Sequence, residues 1–117
     1  MKINNKVTNV LGRFGIAYNI RGFAYIKYAV QYVYEHNCKP LPVVKHIYPK
    51  VAEVFETTPS AAERAMRYYM QLIFEQGDKE WIEATKFYRI RMNGEKVVPT
   101  VGDGIYILAN YLNTMEE

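Results

Sequence analysis

The chain has 117 residues, half of them apolar, and a formal net charge of +3. This fits a single domain, residues 1–117, with a real core, and the ordinary share of charged residues excludes a disordered polymer. No stretch approaches the ~20 uninterrupted apolar residues of a membrane span, and the N-terminus lacks the apolar run and cleavage site of a secretory signal. The lone Cys38 has no internal disulfide partner, so a cytoplasmic location is expected. Charge is unevenly spread. Residues 1–50 carry eight Lys and Arg against one acid, Glu35, and the remainder is net acidic. A basic half can serve a phosphate backbone; solvated lysines on helix faces are the plainer reading.

In chain order, residues 1–7 read as a loosely ordered start. Thr8 or Asn9 then caps a short helix through Phe14, limited by Gly12 and Gly15. After a connector over residues 15–21, a strong helix spans residues 21–35. Phe23, Ile26, Ala29, Val30 and Val33 form its apolar stripe. Tyr25, Tyr28 and Tyr32 widen that stripe as core or boundary residues, or offer a stacking platform for bases. Residues 36–42 form a turn with two prolines. Val43, Val44 and Ile47 begin a short helix, and Pro49 starts the next.

The segment YPKVAEVFETTPSAAERAMRYYMQLIFEQG, residues 48–77, carries the functional signal. Val51, Ala52, Val54 and Phe55 mark one helix, and Thr57, Thr58 and Pro59 mark a break. Thr58 is the expected N-cap of a second helix and Pro59 its first residue. Ala62, Ala65, Met66, Tyr69, Leu72 and Ile73 recur at three- and four-residue steps and face inward. At ~100° per residue, Arg64 and Arg67 share the other side, with Ser60 one turn earlier. Two helices in this order, braced by the short helix before them, predict a tri-helical helix-turn-helix core.

The chemistry follows from the residue types. A guanidinium near such a helix start can pair with guanine O6 and N7 in the major groove. Ser60 and the first-turn N–H groups can bind a phosphate, helped by the helix dipole. Glu63 can accept from a cytosine amino group or position an arginine. Lys45 and Lys50, just ahead, are candidate phosphate contacts.

Gly77 and Asp78 end the long helix, and Trp81, Ile82, Ala84 and Phe87 predict a further amphipathic one. YRIRMNGEKVV allows a loop or a weak hairpin with a two-residue Asn93-Gly94 turn. Pro99 and Thr100 precede a last helix bearing Ile105, Leu108 and Leu112, with Tyr111 alongside. The fold class is therefore all-α, about six helices, with a helix-turn-helix, winged-helix-like centre.

Enzyme chemistry finds no support. His36, Cys38 and His46 have no recognised zinc spacing, and a Cys/His pair lacks an orienting third residue. Asp103, between Gly102 and Gly104, reads as a turn or cap. No phosphate-cradling glycine loop occurs. No catalytic residue, metal or cofactor is expected.

At these residues the chain resembles the C-terminal DNA-binding effector domain of the sporulation response regulator Spo0A. The opening LGRFGIAYNIRGFAYIKYAV, the central VVKHIYPKVAEVFETTPSAAERAMRYYM and the ending PTVGDGIYILANYL are similar to that family's segments in the same order. The pattern LYP-x-x-A-x-x-F-x-T-T-x-S-x-x-E-R-A-x-R is kept, with Ile47 in the Leu place. The resemblance covers residues 9–112. It implies a six-helix transcription factor reading short 0A-box-like elements of double-stranded DNA, often as paired domains, so a homodimer on DNA. It implies recognition-helix roles for Ser60, Glu63, Arg64 and Arg67, and contact with an RNA polymerase sigma subunit through residues 79–88. Ala61 stands where the family often has a basic residue, and Tyr68 stands at its histidine place, as a positioning residue. Glu80, Trp81 and Glu83 depart from the sigma-contact segment. The family's usual receiver domain is not encoded within these residues. The rival reading is a stand-alone interaction module that binds a sigma subunit or a full-length regulator without reading DNA.

Overall fold

The computed structural model describes residues 3–17 and 20–115. Six α-helices and one small hairpin follow in order: α1 (Ile3–Gly12), α2 (Arg21–Glu35), α3 (Tyr48–Val54), α4 (Pro59–Gln76), α5 (Lys79–Thr85), β1 (Arg89–Ile90), β2 (Lys96–Val97) and α6 (Val101–Thr114). The all-α expectation is met.

Helix α2 is central and packs most extensively on α4 and α6. Ile26, Ala29, Val30 and Val33 of α2 are buried together with Met66, Tyr69, Met70 and Ile73 of α4 and Ile105, Leu108, Ala109 and Leu112 of α6. Burying a large apolar side chain contributes roughly 1.5–3 kcal/mol, so this three-helix seam fixes the rotation of α4 about its axis. The backbones of α2 and α4 also meet closely. A Cβ on Gly22 would stand 2.3 Å from the Ala65 carbonyl oxygen and 2.5 Å from Tyr69 Cβ. Next to this point the Phe23 ring meets Tyr69 edge-on, 5.8 Å between centroids.

Helix α1 begins at Ile3, ahead of the expected Thr8 or Asn9 cap. Val7, Val10, Leu11 and Phe14 are all buried. That row runs through Thr8 and Asn9 at helical spacing, so the helix continues across them and the expected loose start is helical from Ile3. Met1 and Lys2, and Tyr18 and Asn19 of the connector, lie outside the described residues. Helix α1 packs chiefly on α2, and Trp81 of α5 reaches it, its Nε1 donating to the Val10 carbonyl at 2.9 Å.

The segment before α3 differs from two separate helices. Val43–Ile47 is a π-helical turn that runs directly into α3. Pro49 lacks an N–H, and its ring crowds the carbonyl four residues back. A widened turn accommodates it, with the Tyr48 N–H bonded to the Val43 carbonyl. The tri-helical unit is therefore α2, α3 and α4, with α2 as the brace.

Between α3 and α4 the chain makes a Schellman turn. The Thr57 N–H bonds to the Ala52 carbonyl at 2.9 Å and the Glu56 N–H to Glu53 at 3.4 Å. Glu56 occupies the left-handed position, φ 55°, where glycine is usual. Phe55 is gripped from behind by Tyr25 at 4.8 Å and Tyr28 at 6.0 Å between ring centroids. These α2 tyrosines thus brace the turn and are not an open stacking platform.

The hairpin pairs Arg89 with Val97 and Ile90 with Lys96. Its loop has three residues, Met92 to Gly94, and not the expected two. The Gly94 N–H bonds to the Arg91 carbonyl at 2.8 Å, and Gly94 takes φ 88° while Asn93 has no positive φ. A type I′ turn needs positive φ at both central residues, which excludes it. In α5 Trp81, Ile82 and Thr85 face inward, while Ala84 is exposed.

Two substitutions should move stability in opposite directions. Gly22→Ala forces α2 and α4 apart and is expected to destabilise by about 1–3 kcal/mol, which outweighs any gain in helix propensity. Glu56→Gly removes a left-handed penalty of roughly 1–2 kcal/mol against a glycine entropy loss of about 0.4–1 kcal/mol, so it should stabilise slightly. Urea unfolding midpoints check both.

Candidate nucleic-acid interface

The start of α4 is capped as its sequence predicts. Thr58 Oγ1 accepts from the Ala61 N–H at 3.1 Å, and the Ala62 N–H reaches the Thr58 carbonyl at 2.9 Å. Pro59 has no N–H. Of the first-turn donors, only the Ser60 N–H lacks a partner among the described residues. Ser60 is exposed, so its N–H and hydroxyl form one anion-accepting point at the positive end of an 18-residue helix. The Thr58 hydroxyl accepts the capping bond and keeps its proton to offer an anion.

One turn on, Arg67 Nε donates to Glu63 Oε2 at 3.1 Å. Glu precedes Arg by four residues, the favourable order for such a pair. The pair contributes about 0.3–0.5 kcal/mol, but it holds the Arg67 guanidinium against the helix. Arg64 is exposed and makes no hydrogen bond or ion pair among the described residues. Tyr68, one turn beyond Arg64, has 59% of its surface exposed. Ser60, Glu63, Arg64, Arg67 and Tyr68 therefore do share the outward side of α4, opposite Ala62, Met66 and Tyr69.

Two shallow depressions run along this side. One, of about 340 Å³, is lined by Val44, Tyr48, Pro59, Ser60, Glu63 and Arg64. The second, of about 320 Å³, has Glu63, Arg67 and Gln71 on its α4 wall, with Arg89 and residues 98–101 also lining it. Tyr48 and Glu63 line both. Burial pushes the Tyr48 phenol above its ordinary value; the Glu63 carboxylate adds to this and Arg67 partly opposes it. Tyr48, Val44 and Arg89 reach the site only through the tertiary fold, whereas Gln71 follows Glu63 and Arg67 at four-residue steps and is legible by spacing. Val44 was readable only as a helix former, yet it is 72% exposed beside Arg64.

The basic half of the sequence does not collect here as one patch. Lys45 lies exposed on the π-helical turn, and Lys50 on α3 sits 3.6 Å from Glu53. Arg13 instead lies 3.8 Å over the Trp81 ring. The histidines flank Tyr32: His46 Nε2 is 2.7 Å from its hydroxyl and His36 Nδ1 2.7 Å from its carbonyl oxygen. Burial raises the Cys38 thiol above its ordinary value. Residues 79–88 present Lys79, Glu80, Glu83 and Lys86 outward, with Glu83 paired to Lys96.

A short helix and a longer one joined by a tight turn, with a third helix behind and a hairpin beyond, make a helix-turn-helix domain of the DNA-binding class. The chain matches the family described as "Sporulation initiation factor Spo0A C terminal" over residues 7–112, and it belongs to that family. This is a family of DNA-binding effector domains in sporulation transcription control, not of enzymes. No helix among the described residues is long and apolar enough to cross a membrane.

The Tyr48 shift carries a pH signature. A raised value means that the folded state holds the proton more tightly than the unfolded chain. The associated stability is complete below the ordinary tyrosine value of 10.0 and is lost as pH rises past it toward the folded value. Tyr48→Phe should therefore flatten the alkaline fall in stability relative to wild type, read as urea midpoints from about pH 8 to about pH 11.

Proposed function

We propose that the domain binds duplex DNA sequence-specifically, with the N-terminal half of α4 in the major groove. The observation that carries this reading is the exposed pair Ser60 and Arg64, both with unspent donors, on a helix whose opposite face is locked into the core. Arg64 and Arg67 read base edges, Arg64 as a free bidentate donor to guanine O6 and N7. Glu63 positions Arg67 and faces cytosine amino groups. Ser60 anchors a phosphate through its N–H and hydroxyl. Thr58, Lys45, Lys50 and Tyr68 supply flanking phosphate or positioning contacts. The sites are 0A-box-like elements, occupied by paired domains as a homodimer on DNA.

Binding to a randomised duplex pool tests this. Arg64→Ala should weaken the selected duplex by about 1–3 kcal/mol and relax preference at one base position. Lys45→Gln or Lys50→Gln should weaken all sequences alike and lower the salt dependence. Absence of salt-sensitive binding to every member of the pool would sink the proposal.

A second reading draws on the outward charges of α5. Glu80, Lys79 and Lys86 leave a polar face over residues 79–88, suited to an RNA polymerase sigma subunit. Co-purification with that subunit, unchanged by Arg64→Ala in a domain that binds no DNA, would favour this reading over the first.

A further inference from the structure

We propose that the β1–β2 hairpin is a second DNA-contacting element, with Arg89 holding a phosphate of the duplex that α4 enters. The inference rests on the reading of α4 as a DNA reader and extends it to an element outside the helix-turn-helix.

Glu63, Arg67 and Gln71 stand at four-residue steps on a single stripe of α4, and Arg89 lines the same depression. The hairpin carries three cations, two of them committed. Arg91 Nη1 donates to Glu95 Oε1 at 3.0 Å. Lys96 Nζ pairs with Glu83 and lies 4.6 Å over the Tyr88 ring. Arg89 is exposed and makes no hydrogen bond or ion pair among the described residues. Its guanidinium keeps all five donors for an external acceptor.

The mount is firm. Phe87, two residues before Arg89, is fully buried, 5.4 Å from the Phe14 ring. The Lys96–Glu83 pair ties the opposite strand to α5. Arg89 is therefore presented beside α4 by an anchored strand and not by a free loop. The ligand chemistry is a phosphodiester backbone. The Glu63 carboxylate in the same depression disfavours a small mobile anion, whereas a duplex held by α4 delivers its phosphates to the groove edge. One contact to a phosphate releases one counterion and has a measurable salt signature.

The test uses the full 117-residue chain, a labelled duplex selected from the pool and a scrambled duplex, with Kd measured from about 50 to about 200 mM salt. Arg89→Gln should lower the log–log salt slope by about 0.9 and weaken both duplexes by the same factor, leaving base preference intact. Arg89→Lys, which keeps the charge, should retain the slope. A wild-type slope in Arg89→Gln, while Arg64→Ala still relaxes preference, overturns the hairpin contact and leaves the α4 reading standing. Equal slope loss in the Lys and Gln variants assigns Arg89 a structural role and also overturns it. If the wild-type chain binds neither duplex, both readings fall together.

Discussion

The close approach of α2 and α4 at Gly22 governs the rest of the molecule. With no side chain at that position, the two backbones sit near enough for a Cβ to collide with the Ala65 carbonyl. That contact sets the distance between the brace and the recognition helix. The buried seam of Met66, Tyr69 and Ile73 sets the rotation. Side-chain burial at roughly 1.5–3 kcal/mol each far exceeds the ~0.3–0.5 kcal/mol of the Glu63–Arg67 pair. The outward direction of Arg64 and Arg67 is thus decided by the core, and surface charges only refine it.

Around that fixed helix, the polar groups divide into committed and uncommitted ones. Thr58 serves the cap, Glu63 restrains Arg67, and Arg91 and Lys96 hold the hairpin. Ser60, Arg64 and Arg89 remain, and all three lie along the two depressions that share Tyr48. The committed groups lower the motional freedom of the element that carries the uncommitted ones. Such preorganisation reduces the ordering cost of association.

Much of this was legible in the residues, and the reasons are local. The apolar stripes of α2, α4 and α6 repeat over several turns. Thr58-Pro59 and Pro99-Thr100 announce helix starts through side-chain oxygens that do accept the expected N–H groups. Ser60, Glu63, Arg64 and Arg67 share a face by spacing alone. What was not legible depends on neighbours distant in sequence or on an atypical residue. Helix α1 runs through Thr8 and Asn9, where the capping residue types suggested a start. Pro49 does stand in the first turn of α3, but the π-helical turn that runs into it has no sequence signature. Glu56 hid a Schellman turn that glycine would have revealed. Asn93-Gly94 pointed to the shorter loop, although only Gly94 takes a positive φ. That Arg89 lines the same depression as Arg67 is a tertiary fact, invisible to any periodicity.

The Trp81–Val10 hydrogen bond joins residues 71 apart in the chain. Loop closure grows only logarithmically with length, so the tie costs little more than a shorter one, although contacts of high sequence separation slow folding. Through this bond α5 clasps the end of α1, which otherwise packs chiefly on its neighbour α2. Trp81 is the single tryptophan and sits in that clasp. Its fluorescence during refolding therefore reports the packing of α5 against Val10, Phe14 and Tyr111.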